Sequence, residues 1–543
     1  MELIGLAVGM VYANVEDGTD RPCLSAWHTL TRRMERMEQS GQAGLGLRVR
    51  GTRFIDDAGR QVLLHGVNMV CKEESRHWIG DWSDEDFARL RRWGLNVIRL
   101  GMNWNALETE PGVYDDEYIE AHRRLIRLAH QHQIRVFLDM HQDLYSTLFG
   151  GGAPAWATFT DGERYEPGQV WSDAYLFNKA VQKAFDHFWR NTPASDGVGI
   201  QDHFAQAWGH LARKLHREPN VIGYDLINEP FIGSGAEQAM AAILAQYAEL
   251  YAARYGEADP AEMLAAWMDP ERKQAALGLL EDAELFRQVV DAPSPVLQAF
   301  EATALSALYR KVASAIRETD AHGMLFLETN YFSNLGTRSM IEPVVGLDGS
   351  RDEQQVYAPH AYDLVTDTEL AHTANDARLE LILSRHEETR QRLEMPMLVG
   401  EWGAFYGSGD TGHVSLHIQR LLEKMLCSDA YWDYTPDMDR SPSFLGVRRG
   451  YPIAVAGKLK HYRYEHALGS FSMRWEEAGE SEAPTIVYLP DIRHVATGTV
   501  TLQPEGEPYT VQPIEGSRAG YMLIPPVQRG NRSLIIAGKP PEG

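Results

Sequence analysis

The chain is poor in cysteine, in positive charge and in long apolar runs, and each shortage removes a class of function. Only three cysteines occur in 543 residues, Cys23, Cys71 and Cys427. An odd number cannot pair fully within one chain, and their spacing matches no metal site, so no disulfide framework, metal or cofactor is implied. Against 52 Lys and Arg stand 76 Asp and Glu, a net charge of -24. Nucleic-acid binding wants a basic stripe, so that class is set aside. Electrostatic docking on anionic lipid is disfavoured for the same reason. Leu3–Ala13 is apolar but too short to span a bilayer. It hints at the core of a signal peptide, yet Glu2 stands where such a peptide carries Lys or Arg. This reading favours a cytoplasmic protein over an exported one. No Gly-rich phosphate loop follows the first predicted strand, which argues against an open doubly wound sheet.

What is present is ordinary in bulk: 44% hydrophobic and 24% charged residues, as in soluble globular proteins. The length allows two or three domains. Thirteen Trp and 23 Tyr suit sugar stacking or burial of an apolar ligand, although aromatics also simply fill cores.

The chain is organised around Val221–Phe231, VIGYDLINEPF. Val221–Ile227 has the length and character of a buried strand. It ends in Asn228-Glu229-Pro230, and Pro230 cannot extend a ladder. A carboxyl at such a strand end is partly desolvated, which favours its neutral form. Alone, this is a strand ending in a polar turn. A second acid in the same setting, Glu401 after Met397–Val399, gives it meaning.

Around this stretch a pattern repeats. Leu45–Asp57 reads as a hairpin with its turn at Asp57-Ala58-Gly59. Strands are predicted at Leu63–Asn68, Val97–Leu100, Val136–Met140, Val221–Ile227, Met324–Leu327, Val356–His360, Met397–Val399 and Tyr431–Asp433. Helices are predicted at Asp84–Trp93, Asp116–His132, Asp202–Leu215, Ala302–Thr319, Asp376–Leu393 and Val414–Leu426. Alternating β and α elements imply parallel strands with helical crossovers. Eight units make an α/β protein, a (β/α)8 TIM barrel, spanning about residues 51–450. Its active site belongs at the C-terminal ends of the strands. Asn68, Arg99, His141, Asn228, Glu229, His360, Glu401 and Trp432 all fall at such ends, which loop composition alone does not explain.

Residues 1–50 read as an extension, with a helix at Leu24–Glu38 and a glycine-rich break at Gly41–Gly46. Two excursions interrupt the barrel, Ser146–Gln201 and Ile232–Pro295. The second, with helices predicted at Glu237–Tyr255 and Pro260–Leu280, is either a decoration packed on the barrel or a lid touching an apolar part of a substrate. Helical periodicity ends around His461–Leu468, and residues 451–543 read as a C-terminal antiparallel β-sandwich. Its role is packing against the barrel or binding carbohydrate or membrane.

Glycoside hydrolysis uses two carboxyl groups flanking the scissile bond. Glu229 and Glu401 would face each other across the barrel mouth, and a separation of ~5–5.5 Å would make the reaction retaining. Glu401 is then the nucleophile and Glu229 the acid and base, its pKa raised by the Glu401 charge. Arg99 would hold Glu401 ionised and oriented. Asn228 would hold the sugar 2-hydroxyl, and His141 and His360 would bind hydroxyls or the carboxylates. Tyr362 would donate to Glu401, and Trp432 would floor the first sugar subsite. A lone His or Trp is more often packed in a core, so only their joint placement carries weight.

The segments Asn96–Leu100 (NVIRL), Asp139–Asp143 (DMHQD), Leu226–Pro230 (LINEP), Pro359–Tyr362 (PHAY), Val399–Gly403 (VGEWG) and Tyr431–Tyr434 (YWDY) resemble, in this order, the strand-end motifs of glycoside hydrolase family 5. Within it the chain is most similar to endoglycoceramidases, through Gly112–Asp115, Leu138–Ser146, Gly152–Thr158, Ala184–Trp189, Tyr224–Phe231, Tyr451-Pro452 and Ala454–Gly457. The resemblance runs from about Gly51 to the C-terminus. It implies the same architecture, the same two Glu roles and a glycolipid substrate, with at most transient contact with a lipid surface and no integral membrane segment. It also implies a lysine meeting the glycan, for which Lys72 is the candidate; Asp143, in the DMHQD motif, is a further candidate site residue. The chain departs from endoglycoceramidases in a longer Ile232–Pro295 segment, a shorter Tyr145–Gly152 segment and a different Met69–Glu74. These are the subsites and the lipid groove, so release of one sugar or several, and a ceramide, sterol or other aglycone, stay open. Two other readings remain: an endo-β-glucanase or mannanase with an open groove, and a non-catalytic glycan- or lipid-binding barrel.

Overall fold

A computed structural model describes residues 44–538, apart from residue 169, scattered positions between 257 and 275, residue 347 and residues 407–408. The predicted Leu24–Glu38 helix lies outside the described residues, as does much of Pro260–Leu280. Of the latter, Gly278–Glu281 forms a 3-10 turn.

Eight parallel strands form the barrel: His65–Met69, Val97–Asn103, Arg135–His141, Val221–Asp225, Met324–Leu327, Gln355–Tyr357, Leu398–Gly403 and Ser428–Trp432. In this chain order, the sheet runs sixth, fifth, fourth, third, second, first, eighth, seventh. Parallel bridges Tyr357–Met397 and His360–Glu401 close the sixth strand onto the seventh. Local chemistry sets the crossovers. Asp84–Trp93 starts at Ser83, whose backbone N–H and hydroxyl both donate to Asp86, and ends at Gly94 with φ 85°. Asp115 caps Asp116–Gln131 by accepting from the backbone N–H groups of Glu117 and Tyr118.

The strand starts pack a bottom layer. Val97, Ile222, Met324, Val356 and Leu398, the first or second residues of their strands, cluster with Phe137 and Phe326. Phe54, Val62 and Leu64, just before the barrel, and Ala454, just after it, complete this layer. The closed N-terminal end leaves the other end for chemistry.

The early hairpin differs from its prediction. Leu47–Arg50 pairs with Arg53–Asp56 across Gly51-Thr52, and the Asp57–Gly59 turn leads instead to a third short strand, Gln61–Val62. That strand pairs with Tyr451–Val455, so all three join a seven-stranded antiparallel sheet with Thr485–Leu489, Gly520–Ile524 and Thr510–Pro513. Lys458–Glu465, Ser470–Glu477, Gly530–Ile536 and Val500–Gln503 make a second, four-stranded sheet. Leu459, Tyr462, Met473, Trp475 and Ile536 from it share one core with Tyr451, Val487 and Met522 from the first. This is a C-terminal β-sandwich. The helical character expected around His461 is absent: Lys458–Glu465 is a strand that buries Leu459, Tyr462 and Tyr464, its alternation shifted once between Leu459 and His461. One helical turn, Arg493–Thr497, does occur beyond it.

After the fourth strand the chain leaves the barrel for Ala236–Tyr255, Ala283–Asp291 and Ser294–Phe300, a π-turn at Glu301–Leu305, and Ser306–Arg317. Few side chains of Ala236–Tyr255 are fully buried.

Candidate active site

Glu229 follows the fourth strand with a left-handed backbone, φ 43°, uncommon for a residue with a side chain. Its neighbours hold it there. The Gln142 amide donates to the carbonyls of Asn228 and Glu229 at 2.9 and 3.2 Å, and Glu229 N–H donates to Glu328 at 2.7 Å. The carboxyl turns into the barrel, where Oε1 accepts from Asn334 Nδ2 at 2.8 Å and lies 3.0 Å from His360 Nδ1. Glu401, inside the seventh strand, accepts from Arg99 Nη1 at 2.6 Å and from the Tyr362 hydroxyl at 2.7 Å. Its Oε2 lies 3.4 Å from the same His360 Nδ1. An oxygen of each acid lies within 4.8 Å of one on the other.

Arg99 is not at a strand end but third in the second strand, fully buried, and it spans the barrel interior. Besides Glu401 it donates to Asn68, Asp225, Asn228 and Glu328 at 2.7–3.1 Å and pairs with Asp139 at 2.8 Å. Burial works against its charge, but these carboxylates raise its pKa well above the usual. His360 behaves alike: burial opposes a charge, and Glu328 and Glu401 override it, holding the imidazole far above its ordinary value. Burial pushes the Glu401 carboxyl up, Glu229 adds to this, and His360 and Arg99 pull it back. Protons in this cluster therefore belong to the group rather than to one residue. Glu229, His360 and Glu401 bring three ligand-type atoms close together. Yet Arg99, Tyr362 and Asn334 already donate to the two acids, so a metal cation would have to displace a cation or a proton donor. The deeper trio Asp139, Asp225 and Glu328 is filled by the Arg99 guanidinium.

Asn228 is engaged on both sides: Oδ1 accepts from Arg99 at 2.9 Å and Nδ2 donates to Gln142 O at 3.0 Å. His141 Nδ1 bonds Asp139 at 2.8 Å, and its ring stacks on Trp432 at 5.4 Å and 14°. Burial would lower the His141 pKa, but Asp139 and Asp143 raise it to about 9. At the rim, Lys72 pairs with Asp143 at 2.7 Å, and its Nζ lies 4.5 Å from the Trp432 ring centroid. Burial would raise the Asp143 pKa; Lys72 and His141 hold it far below the carboxylate range.

Several site residues were not picked out from sequence. Glu328 directly follows the fifth strand, with the same strand-then-acid signature as Glu229. Asn334 lies in the loop beyond it, where no period marks it. That loop is pinned at both ends by the buried Glu301, which accepts from Asn330 N–H and Nδ2 at 3.1 and 2.6 Å and from the Ser339 hydroxyl at 3.0 Å.

The acids open into a cavity of about 310 Å³. The lining that comes from the strand ends and the segments beside them is polar or aromatic: Lys72, His141, Asn228, Glu229, Glu401 and Trp432. The lining that comes from beyond the barrel is apolar: Met240, Ile243, Leu244, Val289 and Val290 of the long excursion, with Phe332 and Leu335 of the following loop.

A closed parallel barrel with two buried carboxyls facing each other at its mouth is the equipment of a glycoside hydrolase. The family model described as Cellulase (glycosyl hydrolase family 5) matches residues 55–438, and that of the glycoside hydrolase family 5 C-terminal domain matches residues 449–528. The chain belongs to glycosyl hydrolase family 5. It is 25% identical to endoglycoceramidase I of Rhodococcus hoagii over 486 residues, 86% of this chain and 85% of that one. It is 33% identical to a glucosylceramidase of Aspergillus fumigatus over 247 residues, 34% of this chain and 32% of that protein. Among solved structures it is similar to endo-glycoceramidase II from Rhodococcus sp. in its iminocyclitol complex. The TM-score is 0.69 at 25% identity, over 89% of this chain and 99% of that one.

Proposed function

We propose that the protein is a retaining β-glycosidase that cleaves the bond between a sugar and a lipid aglycone of the glycosylceramide type. The observation that carries this is one cavity with both acids at its polar end and an apolar channel, built by the excursion after Glu229, at the other. An open polysaccharide groove has no use for such a channel, and a non-catalytic barrel has no use for paired acids. The relatives named for glycosylceramides support the same substrate class.

In this reading Glu401, as carboxylate, attacks the anomeric carbon while Glu229 gives its proton to the departing lipid oxygen. The carbon–oxygen bond to the lipid breaks and a glycosyl ester on Glu401 forms. Water then attacks the same carbon, Glu229 takes its proton, and the ester bond breaks. Proximity of the acids, within 4.8 Å oxygen to oxygen, suits direct attack better than an intervening water. Arg99 and Tyr362 orient the nucleophile through its two oxygens. His360 and Asn334 share Glu229 Oε1, leaving the other oxygen to face the leaving group. Asn228, His141 and Trp432 line the sugar end, with Lys72 and Asp143 at its rim. Residues 451–543, joined by the strands between Leu47 and Val62, act as a packing partner of the barrel.

Product analysis on glucosylceramide, lactosylceramide, steryl glucoside and cellopentaose tests this. Lipid glycosides should be hydrolysed with the β-anomer released first. Cleavage of cellopentaose without cleavage of any lipid glycoside would overturn it.

A further inference from the structure

The geometry points to Trp171 and Asp367 as a specificity-determining pair, a bar across the barrel mouth that separates the sugar side from the lipid side and admits flexible chains in preference to rigid ring systems. This rests on the lipid-glycoside reading above. Trp171 lies in the excursion after the third strand and Asp367 in the loop after the sixth, and the indole N–H donates to the Asp367 carboxylate. Both line the cavity that holds the acids.

The consequence is topological. The third, fourth, fifth and sixth strands are consecutive neighbours in the sheet. A contact between the loops after the third and sixth strands therefore closes a ring around what rises from the fourth and fifth. Inside that ring stand Glu229 and the apolar walls, Met240 and Ile243 from one loop and Phe332 and Leu335 from the next. Outside it stand Glu401 and Trp432, on the seventh and eighth strands. A substrate reacting between Glu229 and Glu401 has its scissile bond under the bar, with its sugar on one side and its aglycone on the other.

The bar is held from both ends. Asp367 adopts a left-handed backbone, φ 61°, and its N–H donates to Ala404 O at 3.2 Å. Strain of this kind persists only where surroundings impose it, and it gathers at ligand clamps. Trp171 is 41% exposed, packs edge-on against Tyr175 at 6.1 Å, and has the Lys72 ammonium 5.5 Å from its ring. A closed ring is entered end-on, which flexible acyl chains can do one at a time. A fused, planar sterol cannot fold to pass.

The test compares Trp171→Phe, which keeps the ring but removes the N–H, and Trp171→Ala with the wild type. Substrates are glucosylceramide, cholesteryl β-glucoside and 4-nitrophenyl β-glucoside, all with the same sugar. The expected result is a shift of at least tenfold in kcat/KM towards the steryl glucoside relative to glucosylceramide, larger in Trp171→Ala. The nitrophenyl glycoside carries one ring at the scissile bond and no tail to thread past the bar, so its kcat/KM should change less than that of either lipid and serves as the reference for the sugar side. A lipid hydrolase whose steryl-to-ceramide ratio is the same in all three proteins overturns the bar and leaves the lipid-glycoside reading standing. An enzyme that cleaves the nitrophenyl glycoside and cellopentaose but neither lipid overturns that reading, and the bar with it.

Discussion

The two ends of the cavity are built by opposite means. At the polar end each reacting group is fixed by directional bonds from a barrel strand or from the segments just after the strands: Glu401 by Arg99 and Tyr362, Glu229 by Asn334 and His360. At the apolar end the walls come from helices and a loop outside the barrel, and side chains such as Ile243 and Leu244 carry no directional contact. Chemistry needs atoms placed to within a fraction of an ångström, and only a rigid frame supplies that. Lipid binding needs apolar area, which is non-directional and tolerant of shape. Substitutions at the two ends should therefore fail differently, the first in kcat on every substrate and the second in KM on lipids alone.

Glu401→Gln should give the largest loss, at least ~10⁴-fold in kcat on lipid and aryl glycosides alike, because no nucleophile remains. Wild-type turnover in that variant, with an unchanged melting temperature, would remove Glu401 from the mechanism. Glu229→Gln comes next. Loss of the general acid costs ~10²–10⁴-fold where the leaving group needs a proton. On a nitrophenyl glycoside, whose leaving group departs unaided, the first step should be nearly spared and glycosyl-enzyme should accumulate, detectable by mass spectrometry of the intact protein. Equal losses on both substrates would contradict the assignment.

This contrast also governs what could be read from the chain. Glu229 and Glu401 were legible because each closes or interrupts an apolar strand, a local signal. Glu328, directly after Leu327, carries the same local signal and was not singled out. Asn334 and Glu301 carry no local signal. Their meaning arises only when Glu301 gathers Asn330 and Ser339 and the loop between them swings to Glu229. Arg99 was expected at a strand end and lies within the strand, because a long guanidinium reaches the mouth from below. The strands before residue 63 look like part of the barrel in sequence, yet through Gln61–Val62 they join the sheet of Tyr451–Val455, almost four hundred residues on. Hydrophobic alternation fixes which face a strand buries, but not which distant strand it pairs with. The channel walls were legible only as abundant Ala, Leu and Met in a helix, which a decoration would also show.

Smaller effects sharpen the comparison. Tyr362→Phe removes one hydrogen bond to a charged acceptor, worth ~1.5–3 kcal/mol. At ~1.4 kcal/mol per tenfold, kcat should fall ~10–100-fold on all substrates with KM little changed. Ile243→Asp should do the reverse. Losing an apolar contact of ~1.5–3 kcal/mol raises KM for glucosylceramide by tenfold or more and leaves the nitrophenyl glycoside within twofold. A fall in kcat on the small substrate would mean that the channel and the acids are not separable.

The least effect is on stability, through His141. Burial opposes its charge, and Asp139 and Asp143 raise its pKa to about 9. In the unfolded chain a histidine titrates near ~6.5. The folded protein therefore holds the proton more tightly, and the pairing stabilises it in full below ~6.5. That contribution shrinks as pH rises and is gone once pH passes through the folded value of about 9. Thermal melting of the wild type and of His141→Gln across this range should show the wild type's advantage widest on the acid side and closing towards the alkaline side. A gap that stays constant would mean that His141 is held neutral, and that its place against Trp432 rests on stacking rather than on charge.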